Sequence, residues 1–139
     1  MADNTGWRDE FSVGIEEFDT DHKNIFSFIK QLENACDKGK GFDVLEPIMN
    51  ALLEYTEDHF TREEQMMSRL GYPDMENHMD LHHDLRERVM LFRKQFVEDS
   101  LDDVLSELEF LEFLREWLGF HILKEDMLYS EYFRSKGLI

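Results

Sequence analysis

The sequence has little cysteine, a residue typical of many secreted proteins, and little lysine and arginine, which proteins use to bind nucleic acids and anionic membranes. Cys36 is its only cysteine, so no internal disulfide can form, which is typical of a reducing cytosol. Lysine and arginine number only 15, against 32 aspartates and glutamates, and the formal net charge is −17. Nucleic acids and anionic membrane surfaces both require a basic footprint, so this deficit argues against both as partners.

Long apolar runs are also lacking. No stretch of about 18 or more apolar residues exists, and the start MADNTGWRDEF has no basic segment followed by an apolar one. We therefore expect a soluble, cytoplasmic protein without membrane insertion. Its 139 residues suit one domain, 1–139, which can bury a core without a disulfide or a structural metal.

Apolar residues recur at the three- and four-residue spacing of amphipathic helices, in four segments. The four stripes are Phe18, His22, Ile25, Ile29, Leu32 and Cys36; Leu45, Ile48, Leu52, Tyr55, His59, Met66 and Leu70; Met75, His78, His82, Leu85, Val89, Phe92 and Phe96; and Leu101, Val104, Leu108, Leu111, Leu114, Leu118, His121, Leu128 and Tyr132. This pattern predicts an all-α, antiparallel up-down-up-down four-helix bundle over about residues 18–135, with residues 1–17 as an N-terminal arm.

Five of the six histidines lie on these apolar stripes. They fall early in the first and third helices and late in the second and fourth, at residues His22, His59, His78, His82 and His121. In an alternating bundle those positions meet at one level, near the link between the second and third helices. One such histidine is usually an ordinary core residue, but five buried imidazoles each need partners for both ring nitrogens, and a shared metal site would satisfy them together. His83 is rotated about 100° from His82 and is expected on the surface.

Carboxylates at helical spacing from these histidines could complete a metal site. Glu63 lies four residues after His59, so both side chains share one helix face. After His121 the candidates are Glu125, which ideal geometry favours, and Asp126, which a π-bulge or a wide site would admit; spacing leaves both open. Five imidazoles with two carboxylates exceed a tetrahedral zinc site and suit two six-coordinate ions, with iron favoured and manganese and zinc left open.

Four segments together resemble the hemerythrin family: SVGIEEFDTDH ending at residue 22, HFTRE at 59–63, HMDLH at 78–82 and HILKED at 121–126. The resemblance extends from Trp7 to about Phe133. It implies a centre of two iron ions (Fe2+/Fe3+) with a bridging oxo or hydroxo group.

The resemblance also implies a role for each ligand. His78, His82 and His121 would hold one iron, and His22 and His59 would hold the other, which keeps an open position. Glu63 and Asp126 would bridge the pair, so the resemblance selects Asp126 over Glu125. Asp21 stands where the family often has glutamine, and it is expected to face away from the metals with little consequence.

The same resemblance implies an apolar pocket for the gas, lined by Ile25, Phe60, Trp117, Leu118 and Tyr129. The implied activity is reversible binding of dioxygen without catalysis, for oxygen storage, transport, delivery or sensing. An oxygen-consuming enzyme would be the recipient, and the chain would be a monomer or weak oligomer. The alternative is a di-iron oxidase, peroxidase or nitric-oxide-handling enzyme built on the same bundle.

Overall fold

The structure, a computed structural model, describes residues 7–98 and 104–139. These residues form four helical rods. The first three rods are α1 (Glu16–Asp37), α2 (Gly41–Leu70) and α3 (Met75–Glu98). The fourth consists of α4 (Val104–Phe120), a π-helical segment (His121–Asp126) and α5 (Met127–Ser135). The first rod packs against the second and fourth, and the second packs against the third. The predicted all-α four-helix bundle is thereby confirmed.

The buried face of each rod follows the apolar spacing of the sequence. In α1 the core positions Ile25, Ile29 and Leu32 are at most 5% exposed, one helical turn apart. The segment GYPD ends α2, because Gly71 adopts a left-handed conformation with φ of 72°. The Tyr72 amide then donates to the Met67 carbonyl at 2.8 Å, which closes the helix end.

Aromatic contacts hold the N-terminal segment against α1. A short 3₁₀ turn spans Asp9–Phe11, and α1 begins at Glu16, two residues before the predicted boundary of the arm. The Phe11 ring stacks on Phe26 with ring centroids 5.3 Å apart, and Trp7 meets Phe26 edge-on at 6.2 Å. Trp7 and Phe11 therefore pack against α1, while residues 1–6 of the arm lie outside the described ranges.

Hydrogen bonds join the N-terminal segment to α1 and to α5. The backbone amide of Val13 donates to Asp19 Oδ1 at 2.9 Å, in the first turns of α1. The hydroxyl of Ser130, in α5, donates to the Val13 carbonyl at 2.7 Å. Val13 is fully buried, so this junction belongs to the core at the end of the bundle that holds the π-helical segment.

The fourth rod departs from its predicted stripe at two leucines. Leu108 is 45% exposed because Phe110 takes the buried position, and residues two apart on an α-helix point about 160° away from each other. Leu128 is 46% exposed, and Tyr129 and Phe133 are buried instead. The π-helical segment adds one residue to the helix before Leu128, which shifts the buried face by one position. Leu101 lies outside the described residues.

Among the helices within the described ranges, none combines the length and the apolar character needed to cross a membrane.

Candidate metal centre

The seven side chains proposed as metal ligands lie together at one level of the bundle. All are at most 3% exposed: His22, His59, Glu63, His78, His82, His121 and Asp126. They come from all four rods, and each histidine turns its Nε2 atom toward a buried carboxylate. By contrast, the side chain of His83 is 69% exposed and pairs with Glu87 at 3.0 Å on the surface.

Asp126 lies between histidines of three rods. Its Oδ1 atom is 3.1 Å from His78 Nε2 and 3.0 Å from His121 Nε2. Its Oδ2 atom is 3.2 Å from His22 Nε2 on the opposite side. The carboxylate therefore presents one oxygen to each of two groups of imidazoles, as a bridging ligand does.

Glu63 reaches three histidines from α2, and one of them, His22, also contacts Asp126. Its Oε1 atom is 3.2 Å from His59 Nε2 and 3.3 Å from His82 Nε2. Its Oε2 atom accepts a hydrogen bond of 2.5 Å from the Tyr129 hydroxyl and lies 3.8 Å from His22 Nε2. Ligand atoms of the seven residues thus form two overlapping sets, each with all atoms within 4.8 Å of one another, and Glu63 belongs to both.

The π-helical segment explains why Asp126, five residues after His121, joins the cluster. A π turn holds more than four residues, so the side chain at i+5 returns to the face of residue i. The segment runs from His121 to Asp126, and both end residues are buried. Glu125 is only partly buried and belongs to neither set of potential ligands.

Unpaired polar atoms inside the bundle coincide with this cluster. In the described ranges, nine buried side-chain nitrogen and oxygen atoms have no hydrogen-bond partner, and all nine belong to the seven residues. Leaving one such atom unpaired costs about 1–3 kcal/mol. Two atoms that each lie about 2.0–2.2 Å from one transition-metal ion, at right angles, are about 3.0 Å apart. The observed nitrogen–oxygen distances of 3.0–3.3 Å match that spacing, so the donor set fits bound metal.

Asp21 holds one of the candidate ligands from behind. Asp21 belongs to neither set of potential ligands, in line with the expectation that it faces away from the metals. It is nevertheless buried, at 6% exposed, and its Oδ2 atom lies 2.8 Å from His59 Nδ1. Arg62 donates to the same carboxylate from Nη2 at 2.8 Å, and the Tyr55 hydroxyl donates at 3.0 Å. A carboxylate on Nδ1 fixes the tautomer that leaves Nε2 free to bind metal. Helical periodicity missed Asp21 because its partners are all on the neighbouring helix.

Glu64 makes the equivalent contact to a second histidine. Its Oε2 atom lies 3.0 Å from His82 Nδ1, while His82 Nε2 points to Glu63. The side chain of Glu64 is 24% exposed, so this contact connects the buried centre to the surface. The spacing of apolar residues did not predict the contact between Glu64 and His82.

Protons compete with metal for this site. Burial acts to lower the pKa of His22, but Asp126 and Glu63 raise it to about 10. Burial likewise acts against a charged His82, yet Glu63 and other carboxylates raise its pKa to about 9. Burial and Glu63 would raise the pKa of Asp126, but the surrounding histidines hold it well below its usual value. A metal ion at this site would therefore compete with protons for the imidazole nitrogens.

Aromatic and aliphatic side chains enclose the cluster. Phe60 stacks on His82 with ring centroids 3.7 Å apart, and Trp117 stacks on His121 at 4.4 Å. Tyr129 meets His78 edge-on at 5.6 Å. Ile25 and Leu118 are at most 3% exposed and share one core cluster with Phe60. Phe60, Trp117 and Tyr129 thus contact candidate ligands, and Ile25 and Leu118 belong to the core cluster that contains Phe60, so the gas-pocket lining stays a prediction.

Comparison with known proteins agrees with this geometry. Residues 13–133 match the family model described as the hemerythrin HHE cation binding domain. The chain is 30% identical over 129 residues to the bacteriohemerythrin of Clostridium acetobutylicum, covering 90% of this chain and 98% of that protein. It is also 30% identical over 126 residues to the myohemerythrin of Theromyzon tessulatum, covering 89% of each.

A solved structure shows the same fold. A crystal structure of a hemerythrin point mutant superposes with a TM-score of 0.79 at 28% sequence identity, covering 90% of this chain and 93% of that one.

Proposed function

Because the chain belongs to the hemerythrin family, we propose that it binds dioxygen reversibly at a non-haem di-iron centre. The observation that carries the proposal is the set of nine buried atoms without a hydrogen-bond partner, seven of which are imidazole Nε2 or carboxylate oxygen atoms of the cluster. His78, His82 and His121 would hold one iron, and His22 and His59 the other, with one position left open. Glu63 and Asp126 would bridge the two ions, with an oxo or hydroxo group between them.

The chemistry that such an iron pair supplies when bound is the reversible transfer of two electrons to dioxygen. Two divalent ions, two carboxylates, one hydroxide and five neutral imidazoles carry a net charge of about +1, which an apolar core tolerates better than a large charge. We infer that this histidine-rich set also stabilises high-valent iron less than a carboxylate-rich set would. The proposed role is therefore binding rather than oxidation of a substrate.

The surrounding residues would position ligands and exclude water. Asp21 and Glu64 orient the rings of His59 and His82 through their Nδ1 atoms. The Tyr129 hydroxyl donates to Glu63 and holds a proton beside the centre, where burial and the charge of Glu63 keep its pKa well above the usual value. The apolar wall that includes Phe60 and Leu118 limits entry of water and protons.

The use that the cell makes of the bound gas is also part of this proposal. We infer that the bound gas is stored, delivered to an oxygen-consuming enzyme, or sensed, in the cytoplasm, by a single-domain monomer or weak oligomer.

Visible absorption of the iron-loaded protein tests the proposal. The reduced protein should gain a charge-transfer band in air and lose it again when oxygen is removed, over repeated cycles and with two irons per chain. His78→Ala should lose metal and band together, whereas His83→Ala, a change at an exposed histidine outside the cluster, should keep both. Irreversible bleaching, or steady oxygen consumption with a reductant, would favour the oxidase, peroxidase or nitric-oxide-handling alternative.

A further inference from the structure

The candidate ligands are sealed inside the bundle, so an incoming ion needs a route. A surface depression of about 230 Å³ lies directly beside the centre, between α2 and α3. We name it the α2–α3 depression, and its lining includes Glu57, Thr61, Glu64, His82, His83 and Arg86. It reaches Phe60 and His82, both of which pack around the metal centre.

His82 connects this depression to the centre. It lines the depression although only 3% of its surface is exposed. Its Nδ1 atom faces Glu64 at 3.0 Å, and its Nε2 atom, which has no hydrogen-bond partner, faces Glu63 at 3.3 Å. One imidazole ring thus separates a partly exposed carboxylate from a fully buried one.

The charge of the lining suits a cation. Glu57 and Glu64 supply two negative charges, and the single arginine, Arg86, is paired with Glu57 at 3.2 Å. Both side chains of that pair are largely exposed, so the ion pair is weak and either side chain can move away from the depression. Of the two histidines in the lining, His83 is paired with Glu87 on the outer surface.

A second depression near the centre has the opposite balance. It has a volume of about 150 Å³ and lies between α1 and α2, lined in part by Glu17, Arg62 and Arg69. Two arginines against one glutamate would repel a divalent cation. None of its lining residues is a candidate ligand.

A third depression, of about 670 Å³ and lined mainly by α3, is also unsuited. It carries three cations against two carboxylates: Arg88, Arg93 and Lys94 against Asp84 and Glu87. It likewise contains no candidate ligand. Of these three openings, the α2–α3 depression alone joins a net negative lining to a candidate ligand.

We propose that the α2–α3 depression is the entry site for a divalent transition-metal ion, with Glu64 as its first ligand and His82 as the next. This inference rests on the proposed metal centre. Glu64 would bind the arriving ion first, and its contact with His82 Nδ1 would form again once the ion has passed inward. The structure shows the closed arrangement, in which Nδ1 is held and Nε2 faces the centre.

Obstruction of the depression gives the first test. Thr61 and Gln65 are both exposed, one helical turn apart on α2, but Thr61 lines the α2–α3 depression and Gln65 lines the arginine-rich one. Metal-free full-length protein is mixed with Co2+, and the visible absorption of bound cobalt is followed by stopped flow. Thr61→Trp should slow uptake by about tenfold, since it narrows a route that electrostatic focusing favours, and Gln65→Trp should not.

Removal of the proposed entry ligand gives the second test. Glu64→Gln should slow Co2+ uptake by about tenfold at low salt and less at high salt, because salt screens the lost charge. Glu54→Gln, an exposed change elsewhere on α2, is the matched control. Circular dichroism of each metal-free variant checks that the helices are retained.

The outcomes separate the entry proposal from the metal centre itself. Uptake at the unaltered rate in both Thr61→Trp and Glu64→Gln, with two ions still bound per chain, would overturn the entry site and leave the centre intact. Failure of the unaltered chain to bind Co2+ would overturn the centre, and the entry site with it. Slow uptake with full final occupancy is the result that supports both.

Discussion

Asp21 and His59 come from neighbouring helices, and Oδ2 of Asp21 lies 2.8 Å from Nδ1 of His59. Arg62 and Tyr55 fix the carboxylate in turn, so the ring of His59 has one preferred orientation. Of the two histidines proposed to hold the second iron, only His59 has its Nδ1 atom held by a carboxylate. The Nδ1 atom of His22 has no hydrogen-bond partner.

Loss of the contact between Asp21 and His59 should weaken metal binding by His59. Asp21→Ala is expected to lower the affinity of one of the two Co2+ sites by about 10- to 100-fold, because the ring loses its orienting partner. Competition titration with a chelator measures each binding step. Asn24→Ala, which removes only an exposed hydrogen bond to Tyr55, is the control. Two unchanged binding steps in Asp21→Ala would contradict the role assigned to this residue.

The metal-free protein should lose stability as the pH rises above 6.5. The pKa of His22 is raised from 6.5 to about 10, and that of His82 to about 9. Groups with a raised pKa stabilise the folded state fully below their unfolded pKa, and this contribution disappears as the pH rises through the folded value. The window of loss is therefore pH 6.5 to about 10.

The buried carboxylates determine how far the pH can fall before the folded state loses stability. The pKa of Glu63 lies well below 4.5, because the neighbouring histidines outweigh the effect of burial. Its contribution is present above pH 4.5 and is lost as the pH falls further. The free energy of unfolding in urea, without metal, should thus be greatest between about pH 4.5 and 6.5. His22→Gln should flatten the loss above pH 6.5, and a profile without any decline there would contradict the prediction.

A polar group in the apolar wall should shorten the life of the oxygenated protein. Leu118 is 3% exposed, and Leu118→Asn would bring water and a proton source toward the centre. The decay rate of the visible band in air should rise, while Leu118→Met, which keeps volume and apolarity, should decay as the unaltered protein does. Equal decay rates in Leu118→Asn and the unaltered protein would show that this wall does not protect the centre.

Deletion of Leu123 should be tolerated, unlike a deletion elsewhere in the rod. Leu123 is 43% exposed and lies within the π-helical segment. Without it, Asp126 would stand four residues after His121, so a regular α-helix would keep both on one face. Deletion of the exposed Glu116 in α4 would instead rotate the two halves of the rod by about 100° relative to each other. Thermal unfolding followed by circular dichroism, with Co2+ stoichiometry, distinguishes the two deletions. Equal damage from both would contradict this explanation of the π-helical segment.

Regular spacing predicted the fold and the meeting of the histidines. The apolar stripes gave the four rods, and the placement of five histidines early and late on alternate helices indicated one shared level. The four-residue step from His59 to Glu63 likewise indicated a shared face. These inferences succeed because an α-helix converts sequence distance directly into direction.

Sequence spacing failed where direction depends on an irregular turn or on another helix. Spacing alone favoured Glu125 over Asp126, because the extra residue of the π turn leaves no signal in the apolar pattern. Leu128 was placed on the buried face for the same reason. Asp21 was missed because its burial depends on Tyr55, His59 and Arg62, which belong to α2.

The hydrogen bond from Ser130 to the Val13 carbonyl joins residues 117 positions apart, at the level where the ligands meet. His22 therefore leaves the ribosome long before Asp126, and a nascent chain that still lacks its last helix cannot assemble the complete donor set. Any ion that requires all seven donors can therefore bind only after the fourth rod has been synthesised.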